Sequence, residues 1–208
     1  MDGLLLDTER MCVRAFNEVV DGFGLPEMQE VAFECIGQRA DGVKNTVERA
    51  LAGRVTFQEF NESWDGLIAK AFDDGISLKS GVVELLDALQ RQRIPCAVAT
   101  STRTESALRH LKNANLLRYF GCVIGGDKVV SGKPKPDIYH MAAKTIEVSA
   151  SDCVAFEDSD LGALAAIRSG AVTVQVPDLK PSGLDVDIHG HVIATSLLDG
   201  ARKTGLIP

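Results

Sequence analysis

From residue 78 onward, short apolar runs alternate with stretches of helical periodicity, and the runs end in polar residues. The runs cover 94–100 (IPCAVAT), 121–124, 153–156 (CVAF), 172–176 and 191–194. Between them, 82–90 carries Val83, Leu86 and Leu89 at helical spacing. Residues 105–113, 136–146 and 161–169 read the same way, the last closed by Gly170. Strands buried on both faces are apolar along their length, and a parallel pair needs a crossover, usually a helix. The pattern therefore predicts an α/β fold, a Rossmann-like parallel sheet covered by helices on both faces. In such sheets ligands settle beyond the carboxyl ends of the strands. The residues that end each run are the place to look for chemistry.

Upstream of that point the periodicity is helical throughout. Cys12, Phe16, Val19 and Val20 form one stripe, halted by Gly22 and Gly24. Val43, Val47 and Leu51 form a second, and Phe60, Trp64, Leu67, Ile68 and Phe72 a third. The chain's 208 residues suit one domain carrying a small insertion. The expected division is a core of residues 1–9 and 76–208, with a helical cap at 10–75.

A net charge of −7 argues against a general nucleic-acid or anionic-membrane surface, since either needs a basic field. It leaves room for a small phosphorylated metabolite, because a metal and one lysine reverse the sign inside a pocket. No apolar run approaches the length of a spanning helix, and no signal peptide is visible. Cys12, Cys35, Cys96, Cys122 and Cys153 are odd in number, widely spaced and without a CxxC, which predicts buried reduced thiols in a cytoplasmic protein. The protein is expected to be a monomer or weak dimer. His189 and His191 flank a glycine near the tail, away from the other polar clusters, and are not read as metal ligands.

Four clusters carry the chemistry: Asp2-Gly3 with Asp7-Thr8-Glu9, Thr100-Ser101-Thr102, Gly132-Lys133-Pro134, and Glu157-Asp158-Ser159. Singly, each has a plain reading as a turn, a helix cap, a loop lysine or a helix start. Together, at expected strand ends, they form a phosphate and magnesium kit. Carboxylates are hard ligands for Mg²⁺. Hydroxyls and backbone N–H groups hold phosphate oxygens. A lysine compensates charge, and a further aspartate can serve as general acid and base.

The set resembles the haloacid dehalogenase superfamily, in the branch of phosphoglycolate phosphatase and β-phosphoglucomutase. MDGLLLDT matches the pattern DxDGxLxD[ST] from its second residue, Thr100 matches the strand-ending hydroxyl, Lys133 matches GKPxPxxY closed by Tyr139, and Glu157-Asp158-Ser159 with Gly162, Ala165, Ala166 and Gly170 matches EDSxxGxxAAxxAG. The resemblance implies a phosphatase that works through an aspartyl-phosphate, with Asp2 as acid and base and Thr100, Ser101 and Lys133 on the phosphate. Asp158, Glu157 and the Asp2 carbonyl are then the Mg²⁺ ligands, and Lys133 also pairs with the nucleophile. Gln38 and Arg39 resemble the cap loop that meets substrate in this branch.

The family's nucleophilic aspartate would stand immediately before Met1, at the end of an apolar strand. The expectation is a natural protein that begins upstream, and a chain inactive as written. The alternatives are a phosphosugar mutase, disfavoured because Cys12 stands where that branch has a histidine, and a phosphate-binding protein without catalysis.

Overall fold

The computed structural model describes residues 1–36 and 40–208. The chain divides into two compact units, one of Met1–Leu6 with Ser77–Pro208, the other Asp7–Ile76.

The smaller unit is helical among its described residues: α1 (Thr8–Gly22), α2 (Val31–Cys35), α3 (Ala40–Leu51) and α4 (Phe57–Asp74). Its core forms where the stripes meet, with Phe16, Val20, Val47, Leu51 and Phe60 almost wholly buried. The Phe16 ring meets Phe60 at 5.0 Å and Trp64 at 5.1 Å, both edge to face, the arrangement that ring quadrupoles favour. Met11 rather than Cys12 is the buried apolar residue in the first turns of α1, because Met11, Ala15 and Val19 continue one face at i, i+4 spacing. Thr56 starts α4 with a reciprocal cap: its hydroxyl accepts from the Glu59 N–H (3.2 Å), and the Glu59 carboxylate accepts from the Thr56 N–H (3.1 Å).

The larger unit alternates as the sequence pattern requires: α5 (Val82–Arg91), β1 (Ala97–Ala99), α6 (Thr104–Asn113), β2 (Cys122–Ile124), α7 (Asp137–Thr145), β3 (Val154–Glu157), α8 (Asp160–Ser169), β4 (Val172–Gln175), α9 (Val186–His189), β5 (Val192–Ile193) and α10 (Leu197–Lys203). All strand pairs are parallel, and the α/β class is as expected. The sheet, however, is in two pieces, β1-β2 and β3-β4-β5. At the amino end, Leu5 N–H donates to the Met1 carbonyl (2.8 Å) around Gly3, whose φ of 69° suits glycine. Leu6, wholly buried, then forms an antiparallel bridge with Leu78.

The strands are shorter than the apolar runs. The run 94–100 forms a ladder only at Ala97–Ala99, since Pro95 has no N–H to give and β1 is paired on one edge. The expectation of buried thiols also needs correcting. Cys35 is buried, but Cys12, Cys96, Cys122 and Cys153 are half-buried. Two of them, Cys96 and Cys153, line a cavity between the sheet pieces.

A buried polar network fastens the segment after β4. Gln175 donates to Asp160 (2.8 Å), accepts from the Ser182 hydroxyl (2.8 Å), and accepts from His191 Nε2 (3.1 Å). That bond requires a proton on Nε2, and Nδ1 is buried with no hydrogen-bond partner among the described residues. Burial, then His189, holds the His191 pKa below its ordinary value. The unfolded chain therefore takes up a proton first as the pH falls. The stability this ring contributes is present above roughly pH 6.5 and is lost as the pH drops toward the folded pKa. Urea melts at pH 7.5 and 5.5 are expected to show a larger loss for the parent than for a His191→Gln variant. Equal losses would remove His191 from the account.

Candidate active site

The carboxyl ends of β1 and β3 gather most of the polar residues singled out in the sequence. Thr100 follows β1; it is buried, and its N–H donates to the Ile124 carbonyl (3.0 Å). Its hydroxyl accepts from the Thr102 N–H (3.2 Å), and the Thr102 hydroxyl donates to the Asp2 carboxylate (2.7 Å). The chain Thr100–Thr102–Asp2 thus fixes the Asp2 carboxylate from the strand end. His110 of α6 lies near that carboxylate. Burial holds its pKa down, against the upward pull of Asp2.

Lys133 is the second centre. Its ammonium donates to the Ala99 carbonyl at the end of β1 (3.3 Å) and to the Glu157 carboxylate at the end of β3. Tyr139 donates its hydroxyl to the same carboxylate, and Lys133 stands over the Tyr139 ring at 5.3 Å. Burial drives the Glu157 pKa upward, but the Lys133 ammonium, the Met1 ammonium and the hydrogen bonds from Lys133 and Tyr139 outweigh it, and the carboxyl is held below its usual range. Burial and the neighbouring Glu157 charge push the Tyr139 phenol well up, so it stays a donor. Asp158 follows directly and adds to the field on Tyr139.

Ser101 is exposed, and with Lys133, Arg103, Gly126, Asp127 and Gly132 it lines a cavity of about 360 Å³. Gly126 lets the backbone close there, because a Cβ would lie 2.6 Å from the Ser101 carbonyl. Gln38 and Arg39 lie outside the described residues.

Sequence reasoning placed Thr102 in a phosphate-binding cluster without its bond to Asp2, gave no role to His110, and treated Tyr139 only as the end of a motif. It also missed the steric role of Gly162. The Ser159 hydroxyl caps α8 by accepting from the Gly162 N–H (3.2 Å), which draws the first turn against Glu157. A Cβ on Gly162 would stand 2.0 Å from Glu157 Oε2. Gly162→Ala is therefore expected to displace a carboxylate that Lys133 and Tyr139 hold in place, costing about 1–3 kcal/mol, as overpacking does. Urea denaturation measures it. A change within experimental error would show that the carboxylate moves freely.

A family model described as haloacid dehalogenase-like hydrolase matches residues 1–176. A phosphorylated carbohydrates phosphatase of Thermotoga maritima is 32% identical over 171 residues, covering 82% of this chain and 79% of its own. A fructose-1-phosphate phosphatase of Escherichia coli is 28% identical, covering 85% of this chain and 93% of its own. Among solved structures, a putative β-phosphoglucomutase from Thermotoga maritima superimposes with a TM-score of 0.84 at 27% identity, covering 100% of this chain and 97% of its own.

Proposed function

The chain belongs to the haloacid dehalogenase-like hydrolase family, and from that premise we propose that it is a Mg²⁺-dependent phosphatase of a small phosphomonoester. The observation that carries this reading is the arrangement at the ends of β1 and β3. One largely buried lysine stands between the Ala99 carbonyl and Glu157, with Asp158 adjacent in the chain and Asp2 held by Thr102.

The donor set fits the ion. Asp158, Glu157 and the Asp2 carbonyl are all hard oxygens, and Mg²⁺ takes one or two carboxylates with water and phosphate completing its shell. When bound, the ion would neutralise phosphate oxygens.

The chain's own residues would do the rest. Lys133 Nζ and the groups of Thr100 and Ser101 bind phosphate oxygens. Asp2 Oδ gives a proton to the leaving oxygen and then takes one from water, with the Thr102 hydroxyl keeping it aimed.

The relatives named for carbohydrate phosphates point to a phosphorylated sugar as substrate, with Gln38 and Arg39 as candidate specificity residues. Five cysteines without a disulfide among the described residues suit a reducing cytoplasm. No described helix is long and apolar enough to cross a membrane.

The test is phosphate release from a panel of sugar phosphates and p-nitrophenyl phosphate, using the chain joined to an apolar strand ending in aspartate. Hydrolysis that disappears with EDTA and returns with Mg²⁺ is expected. No hydrolysis of any panel member by a folded protein would overturn the phosphatase reading in favour of a phosphate-binding protein. Isomerised sugar phosphate in place of free phosphate would mark a mutase.

A further inference from the structure

The two oxygens of the Glu157 carboxylate have different surroundings. The Lys133 ammonium and the Tyr139 hydroxyl both donate to Oε1. Oε2 lies against the start of α8, where a Cβ on Gly162 would stand 2.0 Å from it. The Glu157 side chain is only 6% exposed, so water does not compete freely for either oxygen. A carboxylate gripped at one oxygen and backed at the other turns about its last torsion only by breaking bonds to a charged group, which are the strong ones.

The two donors are not equivalent. Lysine is a point charge on a flexible four-carbon stem, and in the reading above Lys133 also serves phosphate. Tyr139 is stiff by comparison. It sits in the first turn of α7, and its N–H donates to the Pro136 carbonyl (2.9 Å). Its ring packs against the cluster of Ile124, Ile138 and Ala142 and against that of Ala155, Ala166 and Ala171. A packed ring with two torsions carries its hydroxyl to one place. When Lys133 turns to a phosphate, Tyr139 is the donor that stays on Oε1.

This matters for the choice of cation. Ca²⁺ takes roughly six to eight oxygens in a loose shell and accepts both oxygens of a carboxylate. Mg²⁺ demands a tight octahedron, whose angles the two oxygens of one carboxylate are too close together to satisfy. With Oε1 occupied, Glu157 has a single oxygen to offer. We infer that Tyr139 is a positioning residue that restricts Glu157 to one oxygen toward a cation and so sets a preference for Mg²⁺ over Ca²⁺. The inference rests on the reading of Glu157 as a metal ligand given above.

The probe is Mn²⁺, followed by electron paramagnetic resonance of the free ion, added to the intact chain with inorganic phosphate. Mg²⁺ and Ca²⁺ then compete it away. The parent is expected to bind Mg²⁺ more tightly than Ca²⁺. Tyr139→Phe keeps the packed ring and removes the hydroxyl. It should shift the Mg²⁺ to Ca²⁺ affinity ratio toward Ca²⁺ by roughly tenfold, the scale of one hydrogen bond to a charged group. Tyr119→Phe removes the chain's other tyrosine hydroxyl, which donates to Asp87 (2.6 Å), and should leave the ratio unchanged. In the parent carrying ¹³C at the tyrosine hydroxyl carbons, Mn²⁺ should broaden the Tyr139 signal and spare that of Tyr119. A parent without preference for Mg²⁺ would overturn the inference. So would a Tyr139→Phe variant that keeps the parent ratio or weakens both ions alike, as a merely structural role predicts, or broadening that misses Tyr139. Each of these leaves a metal-binding chain and the Mg²⁺-dependent reading in place. No saturable Mn²⁺ binding to the parent at millimolar ion would overturn that reading and the inference together.

Discussion

Joined to an apolar strand ending in aspartate, the chain is expected to hydrolyse p-nitrophenyl phosphate with Mg²⁺ roughly 10⁴-fold or more faster than the chain beginning at Met1. In the proposed reaction Asp2 exchanges a proton, and the Thr102 hydroxyl (2.7 Å) holds its carboxylate. It cannot also attack phosphorus in line from the same position. Splitting hydrolysis into two steps through a covalent intermediate needs a second carboxylate. Removing a nucleophile from a set of groups that act as a unit costs orders of magnitude, because the remaining groups then bind without reacting. Initial rates of both proteins, with EDTA as control, decide the matter. Equal Mg²⁺-dependent rates would sink both the assignment of Asp2 as acid and base and the placement of the nucleophile before Met1. An Asp2→Asn change in the joined protein should bind phosphate normally and lose turnover.

Lys133→Ala is expected to lower stability by about 3–5 kcal/mol, the usual result of leaving one member of a buried ion pair without the other. The side chains are 11% and 6% exposed for Lys133 and Glu157, so little solvent screens the pair. The Tyr139 hydroxyl and the Met1 ammonium remain, but the largest opposing influence on a buried Glu157 charge is gone. A Lys133→Ala, Glu157→Gln double variant should recover part of the loss, since it buries an amide in place of a lone carboxylate. The pH dependence follows in sign. In the parent the folded pKa of Glu157 is depressed, so the stability it brings is present above the unfolded glutamate value near 4.3 and is lost as the pH falls through the folded value. The gap between parent and Lys133→Ala should therefore narrow in acid. Urea midpoints across that range measure it. A loss below about 1 kcal/mol at neutral pH would class the pair with solvent-exposed bridges.

The α/β class was legible because runs such as CVAF and IPCAVAT cannot be stable except as strands covered on both faces. The helices between them were legible from stripes such as Val83, Leu86 and Leu89, although the structure buries Val82 and leaves Val83 exposed. The ends were not. β1 stops short of its apolar run because a ladder needs a partner, and pairing is a property of the folded sheet. The short helices α9 and α10 were missed because neither carries enough turns to show a period. At the site, Thr100, Glu157 and Asp158 stood out because they end runs, and Lys133 because it stands between glycine and proline. The bonds that orient them did not. Thr102 reaches Asp2 across 100 positions and Tyr139 reaches Glu157 across 18, and no local spacing signals either. Gly162 could have been read as the third residue after a Ser cap. Its closeness to Glu157 follows from the cap geometry and not from composition.

The antiparallel bridge between Leu6 and Leu78 sets how this chain can change over evolution. The main unit gives up its chain at Leu6 and takes it back beside the same residue, so the two ends of the intervening segment are already neighbours. A segment of any length that starts and finishes at one bridge can be lengthened, trimmed or exchanged without shifting the register of a single core strand. The entropy of closing such a loop rises only with the logarithm of its length. Recognition and reaction chemistry can therefore be inherited as separate cassettes. Residues 7–76 can thus vary in length while the strands around Lys133 keep their register.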